Sequence, residues 1–328
     1  MRIKSIYSLL AITLTGLTLG ACRSETDTAA SGDEAAGKAK VSEVRIGLQK
    51  SGSLVYLRDV RYLEDVWAKQ GIQVKWVEFP SGPPMLEALN TGNLDLGTVG
   101  DSPPIFAQAA GAKLMYVANE LPSPKAEAII VPANSPIRSV SELKGKAVAV
   151  TKGSSANYTL LKALERDKLT FDDIKPKYLQ PADARAAFET GQVAAWAIWE
   201  PYLSSVKIEL NARVLTDGEG LKPNTGFYLA SKDFAQAHPD LVEQFVSAVG
   251  EADKAITANP EKYGKIIENI TGLKPEIALS SVTARNYGVS YISADTIQAQ
   301  QQVADAFYRQ KLIPKPIQVK DIVWNPPQ

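Results

Sequence analysis

The fold class is indicated by residues 76–112, which read WVEFPSGPPMLEALNTGNLDLGTVGDSPPIFAQAAGA. Apolar runs at 76–79 and 94–99 predict two strands, and Met85, Leu86 and Leu89 recur between them at helical spacing. Another helix is predicted to begin at Pro103. Repeated strand–helix–strand units are typical of α/β proteins with a mainly parallel sheet, whose ligands lie beyond the carboxyl ends of the strands.

Two loops follow these strands at that edge of the sheet, 80–84 (PSGPP) and 100–104 (GDSPP). Each combines glycine and a serine hydroxyl with prolines suited to the first turn of a helix, so it can direct backbone N–H groups at an anion. We therefore predict binding residues at Ser81, Gly82, Gly100, Asp101 and Ser102. For Asp101 a helix cap is an equal alternative, because a carboxylate would repel a bound anion.

The first 21 residues have the pattern of a signal peptide. Arg2 and Lys4 precede an apolar run at 6–19 that is short for a membrane span. The run ends in Leu-Gly-Ala-Cys at 19–22, which resembles the lipobox of bacterial lipoproteins and implies lipidation of Cys22, the sole cysteine. The alternative is an ordinary secretory signal with an incidental cysteine. We expect an exported protein, periplasmic or on the outer face of the cell membrane, anchored through its lipid alone.

Residues 22–42 are small and polar, with no large apolar side chain before Val41, and they predict a flexible tether. Removing Arg2 and Lys4 with the signal peptide leaves 34 basic and 36 acidic residues, a formal charge of −2. This balance argues against a nucleic-acid partner.

The remaining chain predicts two α/β lobes, the first comprising 43–125 plus 226–328 and the second 126–225. Within the first lobe, apolar positions between Leu54 and Trp67 predict one continuous helix. Crossovers are expected near 121–124 and 217–220. Two crossovers would form a hinge, with the ligand in the cleft between the lobes.

Further motifs fall at predicted strand ends: Gln49-Lys50, Gly153-Ser154-Ser155, Trp199-Glu200-Pro201-Tyr202 and 181–188 (PADARAAF). With 78–83 and 100–104, their order and spacing resemble the aliphatic sulfonate-binding proteins of bacterial ABC importers over essentially the whole mature chain. The resemblance implies a type II periplasmic-binding-protein fold with two hinge crossovers. It also implies capture of organosulfonates for sulfur acquisition and delivery to a permease with its ATPase. We expect a monomer without cofactor or metal.

The resemblance implies roles for polar residues at the cleft. Gly153, Ser154 and Ser155 would meet the anion at a helix N-terminus, although either serine could simply cap that helix. Gln49 is a better candidate donor than Lys50, since a lone lysine is more often a solvated surface group.

An organic tail needs apolar surface, which Trp199 and Tyr202 could supply, although the same rings could pack between strand and helix. Thr225 and Gly226 could bring a hydroxyl and backbone close to the ligand. Glu200 stands where the family often has aspartate, and it could accept an amine or hydroxyl of a functionalised sulfonate.

The sequence argues against an enzyme. His238 is the sole histidine and precedes Pro239 at a predicted helix boundary. The sole cysteine, Cys22, would carry the lipid, so no Cys–His pair is available for catalysis. The 153–155 motif lacks the glycine that follows the serine of a nucleophile elbow. Nearer alternatives are sister binding proteins for taurine, nitrate or a thiamine precursor, which share the architecture. The aromatic pair beside anion-binding loops favours the sulfonate.

Overall fold

The computed structural model describes residues 41–327. The predicted signal peptide (1–21), nearly all of the predicted tether (22–42) and the lipidation site Cys22 lie outside the described residues. Among residues 41–327, no helix combines the length and the apolar character needed to cross a bilayer.

The described chain forms two separate mixed sheets. The first has the order β11-β4-β10-β3-β1-β2 and consists of β1 (Glu43–Leu48), β2 (Gln73–Glu78), β3 (Leu96–Val99), β4 (Leu114–Glu120), β10 (Phe227–Ser231) and β11 (Val289–Ser290). The second has the order β7-β6-β8-β5-β9 and consists of β5 (Glu127–Val131), β6 (Ala147–Val150), β7 (Lys175–Tyr178), β8 (Ala195–Trp199) and β9 (Arg213–Asp217). We call each sheet with its packed helices a lobe.

The expectation of mainly parallel sheets holds only for part of each sheet. β1 pairs in parallel with β2 and β3, and β6 pairs in parallel with β7 and β8. The strands adjoining the crossovers are antiparallel, since β10 runs against β3 and β4, and β5 runs against β8 and β9. A strand that enters a sheet from the other lobe has no βαβ crossover to set its direction.

Twelve α-helices connect and cover the strands of the described chain. They are α1 (Ser53–Asp59), α2 (Tyr62–Ala68), α3 (Gly82–Asn90), α4 (Ser102–Ala109), α5 (Ser155–Arg166), α6 (Pro181–Glu189), α7 (Tyr202–Glu209), α8 (Lys232–Ala237), α9 (Pro239–Ala258), α10 (Pro260–Thr271), α11 (Pro275–Thr283) and α12 (Ala294–Arg309).

The single helix predicted over 54–67 is wrong. Arg61 adopts a left-handed conformation with φ 55°, which ends α1 and starts α2. The interruption leaves Val60, predicted on the buried face, 36% exposed.

The chain passes between the sheets twice, at 121–126 and at 218–226, and the two crossovers lie side by side. The N–H of Ser123 donates to the carbonyl of Asn224 at 3.1 Å, and the Asn224 amide donates back to the Ser123 carbonyl at 2.8 Å. Gly218 has to lack a side chain, because a Cβ there would lie 2.5 Å from the Pro124 carbonyl oxygen. The paired crossovers form the hinge between the two sheets.

The first sheet buries both of its faces. Successive side chains of a strand point to opposite faces, and on β10 Phe227 and Leu229 join one apolar cluster while Tyr228 and Ala230 join another. The second lobe has its own cluster around Trp196. Helix α12 joins the cluster that contains Phe227.

Candidate functional site

A cleft between the lobes is the candidate site. The empty space between its lining residues, counted together with the open mouth, is about 790 Å³. Ten of the fifteen predicted binding residues line it, namely Gln49, Lys50, Gly82, Gly100, Ser154, Ser155, Trp199, Glu200, Tyr202 and Gly226. They come from loops at the strand ends of both sheets, where the α/β pattern placed the ligand.

The structure places the other five predicted residues outside the cleft lining. Ser81 is fully buried and its hydroxyl donates to the Gln180 side-chain oxygen at 2.9 Å. The N–H of Gly153 donates to the Asn157 side-chain oxygen at 3.0 Å. Thr225 lines a different cavity, beside α12.

Asp101 and Ser102 are turned away from the cleft into a buried polar cluster. The Ser102 hydroxyl, predicted to contact the anion, donates to the Asp101 carboxylate at 2.7 Å. Asp101 in turn pairs with Lys222 at 2.8 Å. Among the described contacts the Asp101 side chain caps no helix; its carboxylate accepts instead from Lys222, which lies 121 residues away in sequence.

Both readings of the 153–155 motif apply to parts of it. Ser154 caps α5, accepting from the Asn157 N–H at 3.3 Å while its hydroxyl donates to the Thr151 carbonyl at 2.7 Å. The Ser155 hydroxyl donates to the Glu127 carboxylate. Since both hydroxyl protons are engaged, the groups that this motif can offer an anion are the unpaired backbone N–H groups of the first turn of α5.

Glu200 lines the cleft, but its carboxylate is engaged with α7. It is 1% exposed and accepts from the Ser204 N–H at 3.0 Å and from the Ser204 hydroxyl at 2.9 Å. Burial raises the pKa of Glu200, and these two hydrogen bonds oppose the rise. Each of the two carboxylate oxygens thus already accepts one hydrogen bond from Ser204, and a ligand amine or hydroxyl would have to share them.

The predicted aromatic surface is present. Trp199 and Tyr202 form an edge-to-face pair with ring centroids 6.2 Å apart, and both line the cleft. The Lys50 ammonium lies 5.9 Å from the centroid of the Tyr202 ring. Trp199 is only 8% exposed, so most of this ring packs between strand and helix as the alternative interpretation held.

The sequence reasoning missed Arg285, which lies between α11 and β11 and lines the cleft. Its guanidinium lies 3.5 Å from the Glu120 carboxylate, and its side chain is 20% exposed. Its Nε is buried without a hydrogen-bond partner among the described residues. In sequence this arginine is an ordinary cation after a helix, and only the long-range packing of the C-terminal region brings it to the cleft.

Other missed lining residues share one property, that they flank the crossovers or the ends of the central strands: Thr98, Glu120, Ser123, Glu127 and Asn224. Within residues 41–327 no group of three or more His, Cys, Asp or Glu side chains is arranged to hold a metal ion. His238 lies at the junction of α8 and α9, where its ring packs 5.3 Å from that of Phe234.

Comparisons with known proteins place this geometry in a family. The family described as NMT1/THI5 like matches residues 65–263. The alkanesulfonate-binding protein SsuA from Xanthomonas axonopodis pv. citri, solved bound to MOPS, is 45% identical with a TM-score of 0.84, over 87% of this chain and 99% of that chain.

Two proteins of Escherichia coli are also similar. The crystal structure of the periplasmic aliphatic sulphonate binding protein SsuA is 43% identical with a TM-score of 0.80, over 88% of this chain and 93% of that chain. The taurine-binding periplasmic protein of strain K12 is 30% identical over 221 residues, 65% of this chain and 67% of that protein. The chain thus has the periplasmic-binding-protein fold and belongs to the NMT1/THI5-like family and, within it, to the aliphatic sulfonate-binding proteins.

Proposed function

We propose that this protein is the substrate-binding component of an ABC importer, which captures aliphatic sulfonates in the cleft and delivers them to a membrane permease and its ATPase. The observation that carries the proposal is the convergence of a guanidinium, a helix N-terminus and an aromatic pair on one cleft. The two SsuA proteins described above share 45% and 43% of their residues with this chain, against 30% for the taurine-binding protein.

The chemistry of the cleft suits a sulfonate, which is a permanently ionised group with three acceptor oxygens. Arg285 supplies the positive charge, and the first turn of α5 supplies N–H donors with the favourable end of the helix dipole. The tail of the ligand would then lie against Trp199 and Tyr202. Among the predicted residues we retain Gln49 as a further donor and assign Lys50 to long-range attraction.

The protein acts by binding, not by catalysis, since a cargo with a stable C–S bond needs only to be held and released. Closure of the lobes 43–125 plus 226–328 and 126–225 about the paired crossovers would enclose it. Closure is favoured only by contacts that the ligand makes better in the closed form than in the open one.

We further propose that the chain is exported, cleaved before Cys22 and lipidated there, so that a monomer is held near its permease. Several acyl chains on one cysteine would anchor firmly, whereas a single chain binds a membrane weakly.

The test is calorimetric titration of protein that has been unfolded and refolded to strip carried-over ligand. The titrants are a short alkanesulfonate, MOPS, taurine, nitrate and sulfate. One-to-one binding of the alkanesulfonate and MOPS is the expected result. Preference for taurine or nitrate would reassign the cargo within the same architecture, and absence of binding to all five would overturn the proposal.

The variant Arg285→Gln should weaken sulfonate binding about 10- to 100-fold, the range expected for loss of a charged hydrogen bond. Lys113→Gln is the matched control, because Lys113 is an exposed cation outside the cleft. If both variants bind the sulfonate with equal affinity, Arg285 does not contribute to ligand binding.

A further inference from the structure

Three charged side chains from different parts of the fold meet beside the cleft, which one of them, Glu127, also lines. The Lys222 ammonium lies 2.8 Å from Asp101 and 2.9 Å from Glu127. The side chains of Lys222, Asp101 and Glu127 are 1%, 5% and 4% exposed, respectively. Asp101 precedes α4 in the first lobe, Glu127 begins β5 in the second lobe, and Lys222 belongs to the crossover 218–226.

Every strong donor and acceptor of this cluster is used. The Lys222 ammonium has three N–H donors. They are directed at Asp101, at Glu127 and, at 3.1 Å, at the backbone carbonyl of Ser155. The hydroxyl of Thr159 donates to Glu127 at 2.7 Å, as does that of Ser155. Burial opposes the charge of Lys222, but the two carboxylates more than offset it and raise its pKa, so the cation is retained.

The cluster contacts two of the loops that line the cleft. Asp101 immediately follows Gly100, and Ser155 begins α5. These two loops touch across the cleft, because a Cβ on Gly100 would lie 2.6 Å from the Ser155 hydroxyl oxygen. A bond from Lys222 to Asp101 therefore joins a first-lobe loop to a crossover that is itself bonded to the second lobe.

A buried cluster with two carboxylates and one ammonium is a costly way to stabilise a fold, since apolar side chains of the same volume would do as well. The cluster lies where the first lobe, the second lobe and a crossover meet, and this position indicates a role in holding the lobes relative to each other. Through Asp101, Glu127 and the Ser155 carbonyl, Lys222 joins the first-lobe loop at Gly100 to the second lobe and to the start of α5.

We propose that Lys222 is a positioning residue for ligand binding, which holds the loop at Gly100 against the N-terminus of α5 and so stabilises the closed cleft. This inference rests on the proposed function of the cleft as the ligand site. It makes the ionic bond between Lys222 and Asp101 part of the equilibrium between open and closed lobes, with or without cargo.

The experiment measures the distance between the lobes in ligand-free protein. Cys22→Ser removes the only cysteine, and Lys75→Cys and Lys177→Cys place spin labels at exposed positions on β2 and β7, one in each lobe. Lys222→Met should shift the distance distribution away from the closed form and speed release of a sulfonate about tenfold, a size typical of coupled equilibria. Asp101→Asn, which keeps the shape of the side chain, should act in the same direction.

Lys162→Met is the matched control. Lys162 also lies on the second lobe, but it pairs within its own helix, with Glu165 at 2.7 Å. The distance between the spin labels and the rate of sulfonate release in Lys162→Met should equal those of the parent. Unchanged distances in both Lys222→Met and Asp101→Asn would overturn the proposal.

If Lys222→Met fails to fold, the distance between the two spin labels in Asp101→Asn tests the proposal alone. If the parent binds no sulfonate, the proposed function fails while the ligand-free distances still test the role of Lys222.

Discussion

Asp253, on α9, is a buried carboxyl whose pKa is raised by burial to about 7 from an ordinary value of 3.8. The Ser53 hydroxyl donates to it and opposes the rise, while the charge of Glu120 adds to it. The folded protein therefore holds this proton more tightly than the unfolded chain does. Its contribution to stability is complete below pH 3.8 and is lost as the pH rises to about 7.

Asp253→Asn keeps the shape of the side chain and removes the titration, so it should become progressively more stabilising, relative to the parent, between pH 4 and 8. At about 1.4 kcal/mol per pKa unit, the gain is at most about 4 kcal/mol. Denaturant unfolding of both proteins at pH 4 and pH 8 measures it. Because the difference between the two proteins is compared, other titrating groups cancel. A difference that does not change with pH would contradict the raised pKa.

At the scale of the element, sequence patterns predicted the cleft-lining loops better than the side chains that face the ligand. The loops at 49–50, 100–102, 153–155 and 199–202 follow predicted strands, and the sheet brings their ends together whatever their side chains do. The Ser102 hydroxyl donates to Asp101, whose carboxylate pairs with Lys222, more than 100 residues away in sequence. Local periodicity carries no information on such a contact. For the same reason it could not predict that Arg285 lines the cleft.

The loop after β3, at Gly100, and the start of α5, at Ser155, approach each other closely. An added Cβ at Gly100 would lie 2.6 Å from the Ser155 hydroxyl oxygen and 2.7 Å from its Cβ. Gly100→Ala should therefore hinder closure and weaken sulfonate binding at least tenfold, or about 1.4 kcal/mol. Since the clash disappears when the lobes separate, the thermal stability of the ligand-free protein should change little. Calorimetric titration and thermal unfolding measure the two effects.

Gly250→Ala is the control for this substitution. Gly250 lies inside α9, and its added Cβ would make only an ordinary 3.5 Å contact with Val289. The replacement should leave binding unchanged and stabilise the helix by up to about 1 kcal/mol. If Gly100→Ala binds as tightly as Gly250→Ala, the loops are not in contact in the ligand-bound form.

For the whole molecule, the order of strands and helices was sufficient to predict an α/β protein with two lobes, and the two sheets confirm that class. The sequence analysis assigns α12 to the first lobe with the rest of 226–328, but an amphipathic helix shows only which of its faces is buried, not which lobe buries it. In the structure Phe307 of α12 lies between rings of both lobes. Its centroid is 4.8 Å from that of Phe106 on α4 and 5.5 Å from that of Tyr158 on α5.

Phe307→Ala should consequently loosen both lobes at once. Phe307 is 0% exposed, and loss of a buried phenylalanine ring costs about 3–5 kcal/mol of unfolding free energy. Hydrogen exchange should accelerate in α4 of the first lobe and in α5 of the second. Phe188→Ala removes an equal volume from the core of the second lobe alone, where its ring lies 6.1 Å from that of Trp196, and it should leave α4 protected. Faster exchange confined to one lobe in Phe307→Ala would mean that α12 packs as part of that lobe and does not couple the two.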